Sequence, residues 1–225
     1  MYRRQFLSGL VCCGFSTLPT PLSAARNAGT VFRIVWRDLD VGYSSLNLIK
    51  NGSLIIVKVD VKIDVSLIGI NFFSYSLECQ EIWKNKELIS LESKVVMGKK
   101  REYSNVKRIN DKLEISGSAF SGTIKGNPAT TSYFTPDFLQ RKIWISTQNG
   151  KPLKVECKKI GVHELETPNG TITATKWDVS GDLNITLFYD KNNEWVSSEF
   201  RAGGSEATFI LYNKVGKHHQ IWAQS

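Results

Sequence analysis

The chain has 225 residues, of which 29 are Lys or Arg and 21 are Asp or Glu, giving a formal charge of +8. That length fits one large β domain or two small ones. The basic residues are dispersed, and Lys99-Lys100-Arg101 sits beside Gly98 at a turn, so no nucleic-acid partner is expected.

The chain opens on Tyr2-Arg3-Arg4-Gln5-Phe6-Leu7, a twin-arginine pattern, followed by an apolar run from Leu7 to Leu18 and by Ser23-Ala24-Ala25. The run is too short to span a bilayer as a helix, and the small residues suit a signal peptidase. Residues 1–25 are therefore expected to be a cleavable twin-arginine-type signal peptide, cut at Ala25, with the mature chain in the periplasm of a bacterial envelope. Cleavage removes Arg3 and Arg4 and no acid, so the mature chain stays basic. Such a surface keeps a protein soluble and can draw it to anionic lipid head groups. Cys12 and Cys13 leave with the signal, whereas Cys79 and Cys157 remain in an oxidising compartment. They either pair as a disulfide or stand as two separate buried thiols.

Val31 to Arg37 reads as a first strand, Asp38 to Gly42 as a turn, and Tyr43 to Lys50 as a second strand. Asn51-Gly52 is a hairpin signal in which both residues tolerate positive φ, as a type I′ turn requires. The next stretch, Ser53 to Leu67, is the clearest in the chain. Ile55, Val57, Val59, Val61, Ile63, Val65 and Leu67 hold the odd positions, while Lys58, Asp60, Lys62 and Asp64 hold even ones. A period of two separates an apolar face from a charged face on one strand. Gly69 permits a bend into Phe72–Lys84, where Phe73, Tyr75, Leu77, Cys79 and Glu81 alternate with Ser74, Ser76, Glu78 and Gln80. Leu88 to Met97, Arg101 to Ile109 and Leu113 to Ser116 follow across short polar turns.

The pattern breaks at Gly117. Residues 117–127 are rich in Gly and Ser, and Asp137 to Arg141 can form one helical turn with Thr135 as N-cap and Pro136 at its first position. Ser146 to Gly150 is another turn-like cluster. Strands resume over Leu153–Ile160, Thr171–Ser180, Leu183–Tyr189, Trp195–Arg201 and Glu206–Tyr212. The expected fold is all-β: an antiparallel meander of about a dozen strands forming a barrel or half-barrel, with one irregular loop segment containing a short helix. Residues 26–215 form a single β domain, and 216–225 a polar C-terminal tail.

Several stretches resemble a known family. They are Arg37-Asp38 through Val41-Gly42, Glu81-Ile82-Trp83-Lys84-Asn85, Thr131-Ser132-Tyr133-Phe134-Thr135-Pro136, Thr147-Gln148-Asn149-Gly150, and Gly181-Asp182-Leu183 with Tyr189-Asp190. From about Val31 to Tyr212 the chain resembles the uncharacterised exported bacterial domain-of-unknown-function family 6134, and more loosely family 3108. The family pattern tends to carry Trp and Asn where Phe134 and Thr135 stand, and Asp where Ser146 stands. The resemblance implies an exported, all-β single domain, and no activity.

Function concentrates on loops held by a rigid sheet, which singles out 117–150. Thr131, Ser132, Tyr133, Phe134, Gln148 and Asn149 either line a pocket mouth or plug one end of the barrel. His163, beside Glu164 at an expected turn, is the base a hydrolase would need, but no Gly-x-Ser-x-Gly elbow accompanies it. His218 and His219 are adjacent and point to opposite sides of an extended tail, so neither a metal nor a cofactor is expected. With six Trp, seven Tyr and eleven Phe the interior can be hollow or filled. A hollow one suits non-catalytic binding of a lipid-like or other apolar ligand. A filled one suits an envelope interaction or structural protein.

Overall fold

Ile55, Val57 and Val59 are buried and Lys58, Asp60, Lys62 and Asp64 are exposed, so the period of two sets the faces as the sequence requires. The computed structural model describes residues 26–67 and 70–224. The expected signal peptide and the bend at Gly69 lie outside the described residues. The first eight strands are β1 (Arg26–Trp36), β2 (Leu39–Asn51), β3 (Leu54–Leu67), β4 (Ile70–Lys84), β5 (Glu87–Met97), β6 (Lys100–Ile109), β7 (Lys112–Gly117) and β8 (Ser121–Lys125). The rest are β9 (Ala129–Thr130), β10 (Ile143–Ile145), β11 (Pro152–Thr167), β12 (Gly170–Gly181), β13 (Ile185–Asp190), β14 (Trp195–Ala202) and β15 (Ser205–Val215). A 3₁₀ turn covers Pro136–Gln140, and a short helix, α1, covers His218–Trp222.

The strands form one sheet in the order β8-β7-β6-β5-β4-β3-β2-β1-β15-β14-β13-β12-β11-β10-β9. Every pairing is antiparallel except β9 with β10, which is parallel. The first and fifteenth strands pair at the middle of the sheet, while the two outermost strands, β8 and β9, are consecutive in the chain. Only Gly126, Asn127 and Pro128 join them. A link of that length reaches roughly 14 Å at most, so the sheet must curl until its two edges nearly meet. The result is a half-barrel closed by the chain and by side chains rather than by a continuous ladder.

Those side chains straddle the gap. The Arg108 guanidinium donates to the carbonyls of Leu88 and Gly126. Arg141 donates to the carbonyls of Pro128 and Lys86, and Asn127 Nδ2 also donates to Lys86. At the other end of the seam the Ala119 amide donates to the Asn149 carbonyl at 3.1 Å. A Cβ at Gly117 would collide with that same carbonyl, and Gly150 has a φ of +78°, so both glycines are needed for the close approach.

The interior is occupied by the segment between the edges. Tyr133, Phe134, Phe138 and Trp144 point inward and meet Trp83 of β4, Trp195 of β14 and Trp222 of α1. Phe134 lies 5.1 Å from Trp222 and 4.9 Å from Phe138, both nearly edge-to-face. The 3₁₀ turn that carries Phe138 starts as the sequence predicts: the Thr135 hydroxyl accepts from the Asp137 amide, and Pro136 follows the cap.

Four details differ from the sequence reading. The described residues form fifteen strands, because β8 lies inside the Gly- and Ser-rich break and β9 and β10 follow it as further short strands. The hairpin after β2 turns on Gly52 and Ser53, since Asn51 pairs with Leu54 and only Gly52 takes positive φ. His163 is in the middle of β11, opposite Ala174, not at a turn. Residues 216–225, read as a polar tail, carry α1 with His218, Ile221 and Trp222 buried. That helix is held because its Trp222 covers Trp83 and Phe134, which short-range patterning does not reveal. Ending the chain after Gly216 is expected to lower stability by about 3–5 kcal/mol through loss of the buried Trp222. Urea unfolding measures this, and an unchanged midpoint would show that α1 does not seal the interior.

Candidate functional site

The six candidate loop residues fall in two places. Thr131 to Phe134 enter the barrel between β9 and the 3₁₀ turn, and Gln148 and Asn149 sit at the seam beside β6 and β7. A bond between the Thr131 and Thr147 hydroxyls, 2.9 Å, ties the two stretches, and the Thr131 hydroxyl also accepts from the Thr147 amide. Gln148 donates to the Glu102 carboxylate, and the Asn149 side-chain carbonyl accepts from the Lys151 amide. Ser93 on β5 donates to the Thr147 carbonyl. These polar groups therefore satisfy backbone and seam partners.

Tyr133 is held in an unusual conformation. Its φ is +58°, a region that a bulky residue enters at a cost of about 1–3 kcal/mol. Its ring packs against Trp144 and Trp195 at 5.9 and 5.7 Å, and its carbonyl accepts from the Tyr189 hydroxyl at 2.8 Å. Burial pushes the phenols of both Tyr133 and Tyr189 upward, which keeps both neutral.

Ser132 leads to the group that the sequence reading passed over. Its hydroxyl donates to Glu81 Oε2 at 3.3 Å and bonds the Thr130 hydroxyl at 2.8 Å. The Trp83 indole donates to the same carboxylate oxygen at 2.7 Å. Glu81 is fully buried, and its other oxygen, Oε1, has no hydrogen-bond partner. Burial raises its pKa to about 7, against the opposing hydrogen bonds from Trp83, Thr130 and Ser132. The signal for this site was visible: Glu81 shares parity with Leu77 and Cys79 on β4, so it had to point inward with them.

A second polar cluster anchors α1. The amides of His218 and His219 donate to the Glu194 carboxylate at 3.2 and 3.0 Å. His219 Nδ1 lies 2.6 Å from Glu194 Oε1, and Lys214 Nζ lies 3.5 Å from Oε2. Burial disfavours the charge on Glu194, but these partners outweigh it and hold the carboxyl below its ordinary value. Thr30, His218 and Glu194 follow one another like nucleophile, base and orienter. However, the Thr30–His218 and His218–Glu194 separations are 3.4 and 3.6 Å, and all three residues are buried away from any substrate. Burial also takes His218 down to about 4, so it is neutral and serves to fasten the helix.

His163 is exposed, and its ring contacts Phe188 edge-on at 6.5 Å. Cys79, buried on β4, and Cys157, half-buried on β11, are both free thiols. Burial raises both, Cys157 to about 11. Among the described residues no group of three His, Cys, Asp or Glu is placed to hold a metal ion, and no helix is long and apolar enough to cross a membrane.

Fold and site together define a β-barrel-like protein whose lumen is plugged by its own chain. A crystal structure of a β-barrel-like protein of the domain of unknown function DUF1849 from Brucella abortus shares this fold, with a TM-score of 0.57 at 7% identity, over 84% of this chain and 96% of that one. The chain belongs to the family of the domain of unknown function DUF6134, whose model matches residues 32–212. No curated protein matches it.

Because Glu81 holds its proton more tightly when folded, the folded state binds more protons than the unfolded state between about pH 4.5 and 7. Stability therefore falls as pH rises through that window and levels off above it. Glu81→Gln is expected to remove this fall and to exceed the parent at pH 8 by up to about 3 kcal/mol. Urea unfolding of both proteins at pH 5 and pH 8 reads the difference. A parent equally stable at both values and indistinguishable from the variant would show that Glu81 is not a protonated buried acid.

Proposed function

We propose that this is an exported, periplasmic, non-catalytic protein that acts by contact through its outer surface, as an envelope interaction or structural module with a filled core. The observation that carries this reading is the plug. Trp83, Phe134, Phe138 and Trp144 are each no more than 1% exposed, and they occupy the space in which an apolar ligand would sit. A bound lipid would have to displace rings that already pack at 4.9–6.0 Å and break the Tyr189–Tyr133 and Ser132–Glu81 bonds. Close-packed interiors resist such insertion. The residues expected to line a pocket mouth are spent on plug and seam. The twin-arginine pattern supports the location. His163, the base that a hydrolase reading would need, stands on an exposed strand face opposite Ala174.

Native mass spectrometry of the protein purified as the cell processes it tests this reading. The expected mass is that of the chain alone, with no thermal shift across a panel of fatty acids and phospholipids. An apolar molecule retained at one per chain would overturn the filled-core reading in favour of an internal carrier.

A further inference from the structure

One end of the half-barrel carries a feature that the plug does not explain. β3 and β4 run past the core: Val61, Ile63 and Val65 are only half-buried, although they continue the inward row of Ile55, Val57 and Val59. On β4 the register slips between Val65 and Ser66, which makes Phe72 an extra residue opposite none. A bulge of this kind re-aims a side chain. Phe72 is 65% exposed, and Phe73, paired with Val65, is 40% exposed. The sequence from Leu67 to Asn71 carries no charge. Two large rings held in water at the projecting end of a hairpin lower solubility and mark a contact surface.

The charges beside this end decide what kind of surface. The Gly98 amide donates to the Ser74 carbonyl at 3.1 Å, which places the turn between β5 and β6 directly alongside Phe73. That turn, Gly98-Lys99, and the first two residues of β6, Lys100 and Arg101, carry three cations, all exposed. Arg101 is steadied by bonds to the carbonyls of Gly98 and Lys100, and Lys100 also reaches Glu102. Two acids lie near this end: Glu102, which pairs with Lys100, and Asp64, on the outward row opposite Ser74 and 4.0 Å from Lys62. An apolar wedge flanked by a basic cluster matches an anionic bilayer surface: rings enter the acyl boundary while Lys and Arg meet the head groups.

We infer that the end of the half-barrel formed by Val65, Phe72 and Phe73, with Lys99, Lys100 and Arg101 where β5 turns into β6, docks on anionic phospholipid surfaces. This rests on the outer-surface reading above and names its partner. It also gives the excess positive charge of the mature chain a location. The attachment is peripheral and reversible, since two rings and three cations are fewer anchors than stable insertion needs.

The test is co-sedimentation of the processed protein with vesicles of phosphatidylcholine, with and without phosphatidylglycerol, at low and high salt. Binding is expected only to the anionic vesicles, and is expected to weaken with salt. Phe72→Ser with Phe73→Ser should reduce partitioning by about tenfold or more. Lys99→Glu with Arg101→Glu should reduce it by a similar factor and flatten the salt dependence. All four positions are exposed, so thermal melting of both variants should match the parent and separates lost docking from lost folding. Absence of binding to anionic vesicles at low salt, or equal binding by parent and variants, overturns the inference. Cross-linking of this patch to an envelope protein without vesicle binding also overturns it, yet leaves the outer-surface reading standing. A retained internal ligand would sink that reading instead.

Discussion

Three residues, Gly126 to Pro128, join the two outermost strands of a fifteen-stranded sheet, and the rest of the architecture answers to that tether. A flat sheet of this width would hold β8 and β9 far apart. The short link forbids it, so the sheet wraps until its edges face each other. Right-handed strand twist makes the curl natural, and the tether sets where it stops. Because β8 and β9 do not pair, the seam is held by Arg108, Arg141 and Asn127 reaching for backbone carbonyls. The carbonyls they satisfy there, those of Lys86, Gly126 and Pro128, lie in a turn and in the link rather than on the edge strands.

The wrapped sheet creates a lumen, and the same segment that crosses the gap fills it. Tyr133, Phe134, Phe138 and Trp144 all come from the stretch between β9 and β10. This is economical in topology: the connection that must bridge the edges also supplies the core. It also explains the strain at Tyr133. The chain has to reverse inside the barrel, and ring packing with the Tyr189 bond holds the unfavourable φ in place. Glu81 fits the same picture as a buried acid that joins wall to plug through Ser132.

A filled barrel moves any partner to the outside. The exterior is not uniform, for the β3–β4 hairpin extends beyond the plug and leaves its apolar row half covered. The same alternation that packs Ile55 against Trp83 inside the barrel continues to Val65 and Phe73, which are only partly covered. One strand thus forms core wall at one end and leaves apolar groups partly exposed at the other.

The sequence by itself determined the class, the strand pattern and much of the register. Alternation over Ser53–Leu67 and Phe72–Lys84 is a local signal, and short polar turns make neighbours in sequence neighbours in the sheet. The Thr135-Pro136 cap was legible for the same reason, as a contact within three residues. Even the inward parity of Glu81 was present in the letters. What only the tertiary structure decided was long-range: that β1 pairs with β15, that the edges meet without pairing, that the loop from Thr131 to Phe134 fills the lumen, and that Trp222 folds back onto it. Apart from the tethered edges, each of these joins residues far apart in the chain, where no periodicity reports on proximity and only the requirement to bury the same apolar surface brings them together.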